Sequence, residues 1–169
     1  MIGSKATFGI DLEKDAFAYQ LSVYVHGNDI LQFEKEGIIY TYRWKECQDI
    51  IEWIQKNMKH ILRDDKFPLS ISAAENCKLS YDLNINDIQQ YEILQDWMFR
   101  HSWFSARAGS YLADIYFVKK GNMIELSWDN TSTFQKDGIR FIFPKGNYKV
   151  DIKTFEKTMK EVCKLYRKL

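Results

Sequence analysis

The sequence predicts a single compact α+β domain over residues 1–169, in which antiparallel β-sheet packs against about three α-helices. Apolar and polar residues alternate with a period of two through residues 7–43, which is typical of half-buried strands. Three later segments repeat apolar residues at steps of three and four, the spacing of a helix with one buried face. The connections between the predicted strands are short, which favours antiparallel pairing. With 46% hydrophobic residues, a chain of this length can form an ordinary core.

Residues 6–43 are predicted to form an N-terminal β-meander. The apolar members of the alternation are Phe8, Ile10, Leu12, Phe17, Tyr19, Leu21, Val23 and Val25. The segments EKDA and HGND are typical of turns, and they follow the first and second strands. A third strand is expected from about Ile30 to Arg43, either in one piece or in two pieces divided at Gly37.

Helices are predicted over residues 45–62, 87–107 and 152–168, with Asn86 and Asp151 as N-caps of the second and third. Each helix is expected to bury one apolar stripe. The stripes comprise Cys47, Ile50, Ile51, Ile54, Met58, Ile61 and Leu62 in the first helix, Ile88, Tyr91, Leu94, Trp97, Met98, His101 and Ser105 in the second, and Ile152, Phe155, Met159, Val162, Tyr166 and Leu169 in the third.

Further strands are predicted over residues 113–143. A two-residue turn at Gly121–Asn122 joins the first two of them into a hairpin, because Gly-Asn is a favoured turn pair. The segment GIRFIF is another strand, which Pro144 ends because proline cannot donate to a sheet. A short strand is also expected over residues 69–73.

Charge and cysteine content limit the class of protein. A net charge of +1 argues against a domain built around binding a polyanion, since such domains carry a clear basic excess. No apolar run approaches the length of a membrane span, so we expect no membrane association. The three cysteines are widely separated and lack CxxC spacing, which is typical of a reduced, cytoplasmic protein.

The common catalytic motifs are missing from the sequence. No segment matches GxxxxGK[ST], GxGxxG, HExxH or GxSxG. The histidines His26, His60 and His101 are far apart, and none has a second metal ligand at helical spacing. We therefore expect no catalytic residue, no metal ligand and no cofactor, and the sequence favours a protein that is not an enzyme.

The predicted hairpin places Asp114, Glu125 and Asp129 on one face, where carboxylates of adjacent strands could hold a divalent metal. This arrangement resembles part of the PD-(D/E)xK nuclease pattern, in which an acid is followed about a dozen residues later by a second acid and then a lysine. Ser127 stands at the position of that lysine, and Ala113 stands at the position of the proline that precedes the first acid in the pattern. The resemblance implies a nuclease-like acidic site, while simple alternation in an amphipathic hairpin accounts for the same residues.

The stretch RHSWFSARAG, which begins at Arg100, holds the candidate partner-binding residues. On a continuous helix Arg100, Trp103 and Arg107 lie close to one line. Guanidinium groups bind carboxylates or phosphates, and an indole offers a large rigid contact, so this line would suit recognition of a partner. The alternative is that Trp103 packs in the core while both arginines are solvated or pair with nearby carboxylates.

Three function classes remain open. The first is a non-catalytic protein-binding module, such as an immunity-type or adaptor protein that neutralises or scaffolds another protein. The second is the metal-dependent nuclease-like enzyme that the acidic face implies. The third is a nucleic-acid-binding accessory domain, which the neutral net charge disfavours. It would use the arginine and tryptophan line together with the lysines of the last helix, Lys153, Lys157, Lys160, Lys164 and Lys168.

Overall fold

The computed structural model describes residues 1–70, 75–82 and 86–169. Over these residues the chain forms three α-helices and three antiparallel sheets, which confirms the predicted α+β class. The helices are α1 (Gln48–Ile61), α2 (Ile88–His101) and α3 (Ile152–Tyr166), and short 3-10 helices span Asn76–Asp82, Trp103–Ala106 and Gln135–Asp137. The strand expected over residues 69–73 lies mostly outside the described residues.

Eleven strands make up the three sheets of the described chain. The first sheet contains β1 (Ile2–Gly3), β2 (Phe8–Lys14), β3 (Tyr19–Val25) and β4 (Asn28–Asp29) in that order, and β7 (Arg43–Trp44) also pairs with β3. The second contains β5 (Phe33–Lys35), β6 (Ile38–Tyr40) and β10 (Ile139–Phe141), in the order β10–β5–β6. The third contains β8 (Tyr116–Lys120), β9 (Met123–Asp129) and β11 (Lys145–Asp151), in the order β11–β9–β8.

The N-terminal segment departs from a simple meander after β4. The β2–β3 hairpin forms as predicted, with Phe8 opposite Val25. The expected third strand is divided, and β5 and β6 leave the first sheet to pair with β10. One cause is the buried Asp29, whose carboxylate accepts hydrogen bonds from the amides of Val23 and Leu31 and so turns the chain. The predicted division at Gly37 is confirmed, since β5 ends before it and β6 begins after it, but the prediction of one meander over 6–43 is wrong beyond β4.

The third sheet confirms the hairpin and adds a strand that the sequence pattern did not reveal. The turn lies at Gly121–Asn122, and the register pairs Phe117 with Leu126 as predicted. Residues 145–151, which follow Pro144, form β11 beside β9. This strand buries only Val150, so its apolar periodicity is too weak to recognise.

Helix α2 is shorter than predicted. It ends at His101 rather than at residue 107, because Ser102 adopts an extended conformation and forms an isolated β-bridge with Tyr116. The Ser102 hydroxyl then accepts a hydrogen bond from the amide of Phe104, which starts the short 3-10 helix. At the other end Asp87, rather than Asn86, caps α2 by accepting a hydrogen bond from the amide of Gln90.

The main core lies between the sheets and the helices α1 and α3. Most of the predicted stripes of these two helices are buried, including Ile50, Ile54, Phe155 and Val162, while Met58 is half-buried. The opposite face of the β8–β9 hairpin is also covered. There Leu79, Trp97, Tyr116 and Val118 form a second, smaller core. Both faces of this hairpin are therefore buried, and polar residues on it such as Glu125 and Ser127 are buried as well.

Candidate functional site

Trp103 belongs to the core and does not form part of an exposed line. Its exposed fraction is 1%, and its ring centroid lies 5.2 Å from that of Phe117. Its amide donates a hydrogen bond to the carbonyl of Ile115, which fixes the 3-10 helix against the start of the hairpin. Because α2 ends before Ser102, Arg100 and Arg107 do not lie on one continuous helix and are not aligned. The prediction that these two arginines and Trp103 form one exposed line is wrong.

Arg100 lies in a groove between α1 and α2, where acidic residues neutralise it. One guanidinium nitrogen lies 2.5 Å from the Asp96 carboxylate, and another lies 3.7 Å from Asp64. The side chain is only partly exposed. Arg100 is thus committed to internal ion pairs, as the alternative interpretation of the sequence proposed.

Arg107 packs between two aromatic rings. Its guanidinium carbon lies 5.0 Å from the ring centroid of Phe104 and 4.8 Å from that of Phe134. Its Nε donates a hydrogen bond to the carbonyl of Leu112. Burial lowers the pKa of the Arg107 guanidinium, and the nearby Asp114 carboxylate opposes that shift. These contacts secure the turn that leads from α2 into the hairpin.

The three acidic residues of the hairpin face do not converge. Asp114 precedes β8 and exchanges two backbone hydrogen bonds with the side chain of Asn130, while Asp129 accepts from Thr131. The register places Asp114 level with Asp129, four residues from Glu125, or about 13 Å along the sheet. Within the described residues, no group of three or more His, Cys, Asp or Glu side chains could hold a metal ion.

Two of these carboxylates are enclosed by protein. Burial raises the pKa of Asp114, and the Arg107 charge and a hydrogen bond from Ser102 oppose that effect. Glu125 is 4% exposed, and its Oε1 accepts hydrogen bonds from the backbone amide and the side-chain amide of Asn76. The next residue outward, Ser127, accepts one from the amide of Cys77. Glu125 and Ser127 therefore hold the segment that begins at residue 75 against β9.

Replacing Glu125 with alanine is expected to lower the free energy of unfolding by about 1–3 kcal/mol, because both Asn76 donors would lose their buried acceptor. Glu125→Gln should cost less, since an amide oxygen can accept the same hydrogen bonds without the charge. Urea denaturation of both variants measures the difference. An equal loss in the two variants would show that the charge, rather than the hydrogen bonding, is what this site requires.

Three side chains converge at the carboxylate of Asp64, a residue that the sequence did not single out. His101 Nε2 lies 3.4 Å from Asp64 Oδ2, His60 Nδ1 lies 3.5 Å from the same oxygen, and Arg100 is also close. His101 is fully buried, with Nδ1 3.0 Å from the Trp97 carbonyl. Burial lowers the pKa of His101 to about 4, against the opposing effects of the Trp97 carbonyl and the Asp64 charge.

His101 is the enclosed member of this cluster. His101 is sealed from solvent and stacks on Trp97 at a centroid distance of 3.8 Å. Beside the cluster, a groove of about 570 Å³ is lined by His60, Arg100 and Ser105 among others. The Ser105 hydroxyl donates to the carbonyl of Phe99 at 3.4 Å, so it is not oriented by an imidazole in this structure.

An exposed apolar surface, here called the aromatic face, lies along α2 and the 3-10 helix that follows it. It consists of Ile88, Tyr91 and Phe99 of α2 and Phe104 of the 3-10 helix, which are 74%, 47%, 45% and 37% exposed. The rings of Phe99 and Phe104 stack with their centroids 6.2 Å apart. Ile88 and Tyr91 were expected on the inner face, but burial in α2 begins only at Leu94.

A signal for the aromatic face is present in the sequence. Ile88 and Phe99 are eleven residues apart, which returns to nearly the same helical phase, and both lie opposite the buried line of Leu94, Trp97 and His101. Apolar residues therefore occupy more of the circumference of α2 than one buried face requires. The predicted stripe placed Ile88 and Tyr91 on the buried face and left Phe99 out, so this surface was not predicted.

Comparison of the chain with protein-family models, with curated proteins and with solved structures gave no significant match. The helices of the described chain include none that is long and apolar enough to cross a membrane. The function must therefore be inferred from the residues and geometry of this chain.

Proposed function

We propose that the protein is a non-catalytic protein-binding module, of the kind that immunity-type and adaptor proteins represent, and that its contact surface is the aromatic face of α2. The observation that carries the proposal is the exposure of four large apolar side chains, three on α2 and one on the 3-10 helix that follows it. Aromatic residues are enriched at protein interfaces, and they supply much of the binding energy where they do occur.

The surroundings of the aromatic face support a protein partner. Acidic Glu92 and Asp96 are also exposed on α2, beside Tyr91 and Phe99. An apolar patch with a polar border is the usual composition of an interface, whose centre is depleted of charge. Glu92 opposes contact with a nucleic-acid backbone, because phosphates would approach its carboxylate, whereas the Asp96 charge is already paired with Arg100. The third function class is therefore the least favoured.

The nuclease-like alternative has less support than the binding module. Its acids Asp114 and Glu125 lie about 13 Å apart along the sheet, and their carboxylates are hydrogen-bonded within the chain, to Ser102 and to Asn76. We also propose a cytoplasmic location for the protein. The support comes from its cysteines: Cys47, Cys77 and Cys163 are all free, which fits a reducing environment such as the cytoplasm.

Site-specific photocross-linking tests the proposed surface. A benzophenone amino acid placed at position 99 should cross-link one defined protein when the chain is expressed in its native cell. The matched control carries the same group at position 17, where Phe17 is even more exposed but lies in the β2–β3 turn. The same protein cross-linked from both positions, or no protein from position 99, would contradict the proposal.

A further inference from the structure

A second groove runs between α1 and α3, on the side of α1 away from α2. Its floor is apolar and consists of Ile54, Met58, Met159 and Cys163. Ile54, Met159 and Cys163 are at most 7% exposed, whereas Met58 is half-buried and reaches the surface. Methionine side chains adapt to the shape of what they contact, and they are common on surfaces that bind helices. Met58 is therefore the floor residue that can pack directly against an apolar side chain from outside.

The rim of this groove is cationic. On α3 it carries Lys160 and Lys164, and the residue after that helix, Arg167, completes it. Lys160 pairs with Glu156 at 2.6 Å. Within the described residues, Lys164 and Arg167 have no carboxylate within 4.0 Å. On the α1 side the rim is neutral Gln55. The groove therefore combines an apolar floor with positive charge that the chain itself does not balance.

We propose that the α1–α3 groove binds an acidic amphipathic helix of another protein. Apolar side chains of that helix would lie on the methionine floor, and its Glu or Asp residues would face Lys164 and Arg167. Charge complementarity selects an acidic partner over a basic one. The groove measures about 290 Å³, at the lower limit of the roughly 300–1,000 Å³ typical of small-molecule pockets. It is better matched to a few side chains whose backbone stays outside.

This surface is independent of the aromatic face. The aromatic face borders the α1–α2 groove through Phe99, and α1 lines that groove with Trp53, Asn57 and His60. The α1–α3 groove is lined from α1 by Ile54, Gln55 and Met58 instead. The two grooves thus use different sides of the same helix. Failure of one proposal leaves the other unchanged, because neither surface contributes a residue to the other.

Methyl NMR with a synthetic helical peptide tests the proposal on the intact chain. The probe peptide carries leucines at steps of three and four, flanked by glutamates, and its matched counterpart carries lysines in place of the glutamates. The acidic peptide should shift the methyl resonances of Met58 and Met159. Met98 and Met123 serve as internal controls, since Met98 packs in the smaller core and Met123 lies in β9. The basic peptide should shift none of them.

Charge reversal then tests the role of the rim. Lys164→Glu combined with Arg167→Glu should weaken binding of the acidic peptide about tenfold or more. The control pair, Lys153→Glu with Lys157→Glu, reverses charge on the same helix at residues that do not line the groove and should have little effect. The proposal is overturned if the two peptides bind equally, if the acidic peptide does not bind, or if anionic lipid vesicles alone shift Met58 and Met159.

Discussion

Replacing Trp103 with alanine is expected to lower the free energy of unfolding by about 3–5 kcal/mol. The indole is almost fully buried and packs against Phe117, which itself contacts Phe155 of α3. Truncation would leave a cavity at the point where the 3-10 helix, the hairpin and α3 meet, and a rigid core closes such a cavity only in part. Chemical denaturation followed by circular dichroism measures the loss.

The neighbouring residue Phe104 provides a matched control. It is a large aromatic residue in the same 3-10 helix, but it is partly exposed and contacts Phe99 and Arg107 at the surface. Phe104→Ala is expected to cost about 1 kcal/mol or less. Similar losses in the two variants would contradict the placement of Trp103 in the core and would restore it as a candidate contact residue.

His101 is expected to make the fold sensitive to acid. Its pKa is about 4 in the folded protein and 6.5 as the ordinary value, so between these values the unfolded chain binds more protons than the folded one. Stability is therefore unaffected by His101 above about pH 6.5, and it falls as the pH drops from there to about 4. The loss is roughly 3 kcal/mol, since each pKa unit corresponds to about 1.4 kcal/mol.

The variant His101→Asn isolates this effect. Asparagine does not titrate, and its amide can donate to the Trp97 carbonyl as the imidazole does. Burial raises the pKa of Asp29 and of Asp114, whose titration acts on stability in the opposite direction and is common to both proteins. The difference between the two stability curves should therefore shrink as the pH falls from 6.5 to 4. A constant difference would show that the buried imidazole is not kept neutral.

The parts of the fold that the sequence predicted are those with strong local signals. The Gly121–Asn122 turn, the Asp151 cap and the stripes of α1 and α3 each depend on residues close together in the chain. Strand β11 escaped prediction because it buries one residue of seven. The end of α2 was misplaced because the extended conformation of Ser102 is stabilised by the bridge to distant Tyr116, and the local cap that Ser102 provides for the 3-10 helix was not recognised.

The difference between local signals and contacts between distant residues also explains the outcome for the candidate sites. The helical line that included Trp103 follows from local spacing, but the tertiary bridge at Ser102 breaks it. The acidic face was recognised as polar, yet burial by the segment that begins at Asn76 depends on contacts about 50 residues apart in the chain. The Asp64 cluster joins the ends of two helices, so the sequence carries no spacing that would identify it.

The affinity of the partner for single alanine variants tests the central claim most directly. With the protein recovered by cross-linking at position 99, titration calorimetry should show that Phe99→Ala weakens binding about thirtyfold, or roughly 2 kcal/mol. Phe17→Ala should remain near the wild-type affinity, because Phe17 is a highly exposed aromatic residue of the β2–β3 turn and is not part of the aromatic face. Unchanged binding by Phe99→Ala, or an equal loss in Phe99→Ala and Phe17→Ala, would contradict the aromatic face as the contact surface.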